Sequence, residues 1–450
     1  MKPSIYNFSF QADDGQWLLY NMLSRGLAVV TPEDYTAVNA ILTGSSDSQD
    51  RPDLRQQLVA GQLLIEEHID ERKVLRVLHQ QERFDTRRLH LVLFPTFGCN
   101  FSCPYCFQTQ LTSIGYDFHG KMEHAVAVAL SNYVRKAVPQ LQRFTADWMG
   151  GEPLTALDVV LRLSHAFKSL CEDALCEYRS QVTTNGFTLS ADVARKLLAA
   201  GITKAMITID GPPELHDRRR PLKSGEGTFC AILKNVIAAA DVLDGVKIRT
   251  NVDSENAFHL LPLIDILKSA GLNRENVSLV FALTSINDGC VSELCRASDN
   301  VFLDETIRAS KYALEQGFRV LRPDKESTIR CWATTRGTFA ITPSGDVHKC
   351  ASFAGRTDSR DGFLDTQSEE VRLEYSAVEW LAWNPFEAEE CRDCSFLPIC
   401  LGGCPYNQLA AGSHTESVST PSRDSLVDCQ DWNRRRLEAA LLHEYHKKRN

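Results

Sequence analysis

Cys99, Cys103 and Cys106 form a C-x3-C-x2-C run inside CNFSCPYC. Thiolates hold iron–sulfur clusters, and a four-iron cubane takes one ligand at each iron. Three thiolates on one loop would bind three irons and leave the fourth open to a chelating ligand. Zinc is the plain alternative, although it takes four ligands and usually takes them from closely spaced pairs. A second constellation comprises Cys331, Cys350, then C-x2-C-x5-C-x3-C at Cys391, Cys394, Cys400 and Cys404, then Cys429. Taken alone, two zinc ribbons would account for it. Of the 15 cysteines, Cys171, Cys176, Cys230, Cys290 and Cys295 lie outside both sets and read mostly as ordinary buried thiols.

These cysteines need elements to position them. Six apolar β-type runs, LHLVLF (89–94), FTADWM (144–149), EYRSQVT (177–183), KAMITID (204–210), VKIRTNV (246–252) and VSLVFAL (277–283), alternate with amphipathic helices. One such helix is KMEHAVAVALSNYVRKAV, with Met122, Val126, Leu130, Tyr133 and Val134 on one face. Strand–helix units of this length predict a parallel sheet with right-handed crossovers. The expected form is an α/β fold, an open (β/α)6 partial TIM barrel over 88–320, with its site at the C-terminal strand ends.

Before it, residues 1–87 predict a small winged-helix-like module. SIYNFSFQ and WLLYNMLS flank the hairpin signal ADDG, and LAVV supplies a third strand. Thr31-Pro32 then opens a helix, DLRQQLVA gives a second ended by Gly61, and ERKVLRVLHQQ a third. After the barrel, 321–450 is irregular, cysteine-rich and poor in apolar residues until a final helix near 430–448, so metal is expected to staple it.

Further motifs fall at strand ends. Gly150-Gly151-Glu152-Pro153 follows the second strand, TTNG (183–186) the third and TIDGP (208–212) the fourth. Glycines let a backbone approach a ligand closely. The cysteine loop with GGEP one strand later resembles the radical SAM family, over at least residues 88–430. The resemblance implies a [4Fe-4S] cluster on Cys99, Cys103 and Cys106. Its open iron would bind the amino and carboxylate groups of S-adenosyl-L-methionine, which reduction cleaves to a 5′-deoxyadenosyl radical. It further implies that Tyr105 and Phe107 lie near the adenine. Gly150, Gly151, Glu152 and Pro153 would receive the methionine ammonium, and Asn185, Thr208 and Asp210 the ribose and carboxylate, with capping of the following turn as the alternative for Asp210. Asn251, late on the fifth strand, is a further cofactor-binding candidate.

The later cysteines resemble the seven-cysteine SPASM pattern, which holds two auxiliary [4Fe-4S] clusters. By that resemblance Cys391, Cys394, Cys400 and Cys429 hold the distal cluster, and Cys331, Cys350 and Cys404 the nearer one. The nearer set is one ligand short. Its fourth iron is either open or completed by Cys290, Cys295 or His348.

Radical SAM/SPASM enzymes mostly modify peptides or proteins, and the leading module resembles elements that bind leader peptides by strand addition. The implied function is maturation of a ribosomally made peptide by a thioether or carbon–carbon crosslink. The implied partners are a precursor peptide with a leader and a low-potential electron donor such as flavodoxin or ferredoxin. Anaerobic sulfatase maturation, which makes formylglycine, is the rival activity. That family typically places an aspartate after the cysteine matching Cys350, where Ala351 stands here. No general base stands out.

Composition bounds these readings. The chain has 450 residues, 43% hydrophobic and 24% charged, with net charge -9. That acidity argues against a nucleic-acid enzyme. MKPSIYNFSF lacks the pattern of a targeting segment and no apolar run is long enough to span a bilayer, so a cytoplasmic location is expected. A zinc-stapled scaffold without catalysis is the non-enzymatic alternative.

Overall fold

The computed structural model describes residues 1–44, 51–106, 108, 120–283, 300–320, 329–356, 359–405, 409 and 429–449. Phe107, Cys290 and Cys295 lie outside the described residues, and so does the side chain of Cys429.

The N-terminal module contains β1 (Lys2–Pro3), β2 (Asn7–Gln11), β3 (Trp17–Asn21), β4 (Leu27–Val30) and β5 (Leu64–Ile65). β2, β3 and β4 form an antiparallel meander, and β1 pairs with β5. Three helices accompany them, Pro32–Thr43, Pro52–Ala60 and Glu71–Arg83. Thr31 accepts the Asp34 N–H at the start of the first, as its side-chain type predicts. The first strand is shorter than the alternation in SIYNFSFQ suggests. Ser4 N–H still donates to Leu63 O, but buried Glu71 accepts from the Ser4 hydroxyl and the Ile5 N–H, taking Ile5 out of strand pairing.

Among the described residues the main sheet has eleven strands. β6 (Arg88–Leu93), β7 (Arg143–Trp148), β8 (Glu177–Thr184), β9 (Lys204–Thr208), β10 (Gly245–Val252) and β11 (Val277–Leu283) fall on the six predicted runs. All pair in parallel and in chain order, and a short β12 (Arg319–Val320) joins beside β11. Such an order follows when each helix returns the chain to the same edge. One sheet face packs on these helices, with Leu89, Leu91, Phe144, Trp148, Val182 and Ile207 buried there. Phe144 meets Phe167 edge to face at 5.3 Å. Each such buried aromatic contributes about 1.5–3 kcal/mol.

Beyond β6 the sheet continues through β13 (Thr338–Ile341), β14 (Asp346–His348), β15 (Gly362–Asp365) and β16 (Glu370–Leu373). β13 runs parallel to β6, and the remaining pairs are antiparallel. The first part of the cysteine-rich segment is thus ordered by the main sheet as well as by any metal. Among the described residues, two later pieces pack on the first module. Phe396, Leu397, Ile399 and Leu401 share a core with Tyr6, Phe10, Leu18 and Tyr20, to which Leu437, Leu441 and Tyr445 of the helix Cys429–Arg449 belong. No helix among the described residues is long and apolar enough to cross a membrane.

Candidate active site

The C-x3-C-x2-C loop leaves the C-terminal end of β6 and is held from three sides. The segment after Arg220 forms one wall: Ser102 N–H donates to Pro221 O, Lys223 N–H to Asn100 O, and Phe101 bridges Leu222. The Gly150-Gly151 turn after β7 forms another. Gly151 N–H donates to Thr96 O at 3.1 Å and Glu152 N–H to Gly98 O at 2.8 Å. A Cβ on Gly151 would lie 2.3 Å from the carbonyl oxygens of both Phe97 and Gly98, and one on Gly150 would lie 2.4 Å from Thr96 O. Their lack of side chains lets this turn seat the cysteine loop. That role is additional to the ligand approach expected from sequence.

Glu152 is fully buried. Its carboxylate accepts from Leu154 N–H at 2.9 Å, Thr184 Oγ1 at 2.7 Å and Asn185 N–H at 2.7 Å. Burial raises its pKa against the opposing effect of those donors. Glu152 therefore fastens the TTNG turn to the GGEP turn. Asn185 completes the third wall, donating from Nδ2 to Asn100 Oδ1 at 2.8 Å, with Cys99 Sγ at 4.0 Å.

The far wall is a polar knot around Asp210, which is fully buried. One carboxylate oxygen accepts the Asn251 N–H at 2.9 Å, and the other is bonded by the Tyr105 hydroxyl. Arg220 Nη1 also donates to that hydroxyl. Burial, ahead of the neighbouring charges, holds the Tyr105 phenol protonated far above its ordinary range. Arg219 stacks over the Tyr105 ring at 4.9 Å and makes a two-pronged pair with Asp253 at 3.0 and 2.7 Å. Asn256 donates to the backbone carbonyls of Asp210 and Asn251. His216 accepts the Asp210 N–H, and burial pushes its pKa down to about 4. Thr208, at the end of β9, is buried opposite Arg249.

The predicted positions Tyr105, Gly150, Gly151, Glu152, Pro153, Asn185, Thr208, Asp210 and Asn251 thus lie on turns and strand ends around one loop of three cysteines. Sequence reasoning missed Asn100, Arg219, Arg220, Asp253, Asn256 and His216. The only linear hint was Arg218-Arg219-Arg220 soon after the TIDGP motif.

The donor set fits an iron–sulfur cluster. The three thiols act electrostatically on one another, and burial raises Cys99 and pushes Cys103 up to about 12. Thiols so placed ionise when a metal takes the place of the proton. Phe101 N–H already donates to Cys99 Sγ at 3.3 Å, the kind of contact that supports a cluster sulfur. Among the described residues no three potential ligands close around a single ion.

In the later set, Cys331, Cys350 and Cys404 lie within mutual electrostatic reach, burial raising Cys331 to about 11 and Cys350 to about 12. Cys400 is likewise near Cys394, and Cys391 and Cys394 pack against the first module. His348 is buried on β14 with Nδ1 bonded to Ser359 O. Ala351 packs with Val92 and Phe94, so no carboxylate follows Cys350.

Residues 93–256 match the Radical SAM superfamily model. Together with the parallel sheet and the loop at its C-terminal edge, this identifies a radical SAM domain. Among curated proteins, a serine-type anaerobic sulfatase-maturating enzyme of Klebsiella aerogenes is 22% identical over 342 residues, covering 72% of this chain and 82% of that protein. Mycofactocin maturase MftC of Mycobacterium tuberculosis is 23% identical over 357 residues, covering 74% and 82%. Among solved structures, native anSMEcpe with bound AdoMet aligns with TM-score 0.59 at 20% identity, over 80% of this chain and 100% of that one. Streptococcus suis SuiB bound to precursor peptide SuiA aligns with TM-score 0.52 at 14% identity, over 94% and 99%.

Proposed function

We propose that the protein is a radical SAM/SPASM enzyme that matures a ribosomally made peptide by forming a thioether or carbon–carbon crosslink. The observation that carries this reading is the N-terminal module and its attachment. Its core is continuous with Phe396, Leu397 and Ile399 beside Cys391, Cys394 and Cys400, so peptide held by the module stays close to the cysteine sets. The likeness to SuiB, whose structure contains its precursor peptide, covers 94% of the chain against 80% for anSMEcpe. β4 is an edge of the meander with Val29 exposed, which suits a leader added as a further strand.

Cys99, Cys103 and Cys106 would hold the radical-generating [4Fe-4S] cluster. Tyr105, Phe107, the Gly150–Pro153 turn, Asn185, Thr208, Asp210 and Asn251 would frame S-adenosyl-L-methionine. When bound, these groups supply the radical that takes hydrogen from carbon. The chain's part is to orient them. Glu152 locks two turns, and the Asp210–Tyr105–Arg220 knot fixes the wall beside the third cysteine. Cys391, Cys394, Cys400 and Cys429 would hold one auxiliary [4Fe-4S] cluster, and Cys331, Cys350 and Cys404 a second, offering an acceptor for the surplus electron.

The test is incubation of the reduced, cluster-loaded enzyme and S-adenosyl-L-methionine with a mass-resolved library of cysteine-containing leader–core peptides. Loss of two hydrogens per bond from a library member is expected. Formylglycine formation in a sulfatase peptide, with no crosslink in the library, would replace this reading with sulfatase maturation.

A further inference from the structure

One polar constellation belongs neither to the cysteine loop nor to the Asp210 knot. Along β6, β7 and β8 the residues alternate between the helix-packed face and the opposite face. On that opposite face lie His90, Asp147 and Gln181, while Leu89, Leu91, Ala146, Trp148 and Val182 fill the other. His90 Nε2 is 2.9 Å from Asp147 Oδ2, and Gln181 Nε2 donates to the same oxygen, also at 2.9 Å.

The pair fixes a tautomer. A carboxylate only accepts, so Nε2 of His90 carries the hydrogen and Nδ1 is left with its lone pair. Among the described residues no group bonds Nδ1. The His90 and Asp147 side chains keep 25% and 21% of their exposure, so solvent and solutes reach them. Lys247, on β10, adds a cation whose charge acts on Asp147. The imidazole also meets the Trp332 ring edge to face at 6.0 Å, and Trp332 directly follows Cys331. The dyad therefore lies on the face bearing the nearer cysteine set, with His90 three residues before the end of β6 and Asp147 one residue before the end of β7, the strands that lead to the Cys99 loop and the GGEP turn.

We propose that His90 is the general base of the crosslinking reaction, accepting the proton of the peptide cysteine thiol at Nδ1, with Asp147 positioning it. The inference rests on the thioether form of the peptide-maturase reading, and a product joined only by carbon–carbon bonds would overturn it. In the step, the S–H bond breaks and its electron pair stays on sulfur. The proton forms an N–H bond at Nδ1, and the resulting imidazolium is balanced by the Asp147 carboxylate. The thiolate is the stronger nucleophile toward the carbon radical, and the one electron left over when the C–S bond forms would be taken by the auxiliary clusters proposed above. Gln181, by holding Asp147, is a second positioning residue.

The test uses the full-length loaded enzyme and the same peptide library, synthesised with deuterium on the carbons next to the peptide backbone. His90→Gln keeps an N–H for Asp147 but removes the base. Expected are crosslinking about 10²–10³-fold slower, undiminished deuterium transfer into 5′-deoxyadenosine, and partial rescue of His90→Gly by free imidazole. Asp147→Asn should slow crosslinking less than His90→Gln, again with deuterium transfer retained. Crosslinking by His90→Gln within threefold of the parent enzyme would overturn the assignment. So would loss of deuterium transfer in step with crosslinking, which would make the dyad a structural element. If the parent enzyme itself draws no deuterium from any library member, the maturase reading falls and takes the base with it.

Discussion

The two cysteine regions hold their thiols by different means. Cys99, Cys103 and Cys106 sit on one short loop at the end of a parallel strand, clasped by backbone hydrogen bonds from the Gly150-Gly151 turn and the segment after Arg220. Cys331 and Cys350 flank β13 and β14, whereas Cys391 and Cys400 sit in two short helical turns, with Cys394 between them, that pack on the N-terminal module. In the first region one short loop carries all three thiols. In the second, segments distant in sequence must dock before the thiols meet. The comparison teaches that local spacing suffices for one site and long-range packing is needed for the other.

The largest effect that would break this comparison is on activity. Cys99/Cys103/Cys106→Ala should abolish cleavage of S-adenosyl-L-methionine and lower iron from about twelve to about eight per chain. Cys391/Cys394/Cys400→Ala should remove about four irons and leave that cleavage within a few-fold of the parent. Iron and sulfide analysis beside 5′-deoxyadenosine assays reads both. Equal loss of cleavage in the two variants would make the regions one unit.

Next comes a pair of glycine substitutions. Gly151→Ala sets a methyl against two backbone carbonyls that cannot swing aside. It should cost about 3 kcal/mol or more and reduce loading of the first cluster. Gly402→Ala, at φ +78 and 2.7–2.8 Å from the Pro385 and Trp383 side chains, should strain the later region alone. Denaturant titration with iron counts would show whether each loss stays in its own region.

Glu152→Gln should have a smaller effect, about 1–3 kcal/mol. An amide can present one acceptor oxygen to the three donors that the carboxylate now receives. Melting of the metal-free protein isolates this cost from cluster loss. No change would mean that the two turns are held by their other contacts.

The smallest effect is a pH slope. His216 is buried neutral with its pKa depressed to about 4, against 6.5 for the unfolded residue. Between those values the unfolded chain binds more protons, so stability falls as pH falls from 6.5 toward 4. The slope is ~1 kcal/mol per pH unit from this residue. His216→Gln should flatten it in urea titrations at pH 6 and pH 5.

The legible part of this molecule was whatever depends on near neighbours along the chain. All six long strands showed because each alternates or runs apolar over enough residues to mark a buried surface, as Gly245–Val252 does. The cysteine loop and the GGEP turn showed because ligand spacing is local. β12 and β13 are too short to carry a pattern, and their strand character comes from pairing with β11 and β6. The roles of Arg219 with Asp253 and of His216 under Asp210 were hidden because each partner arrives from a different turn.

The sequence by itself determined the chemistry available: three thiols at cluster spacing, glycines and polar residues at strand ends, and seven later cysteines. Only the tertiary structure decided that Gly151 seats the cysteine loop, that Glu152 is consumed in fastening two turns, and that His90 meets Asp147. Spacing specifies which groups one loop offers, because a loop is a local object. Which offered groups face each other depends on strand register and side-chain packing, and those are set by the whole sheet.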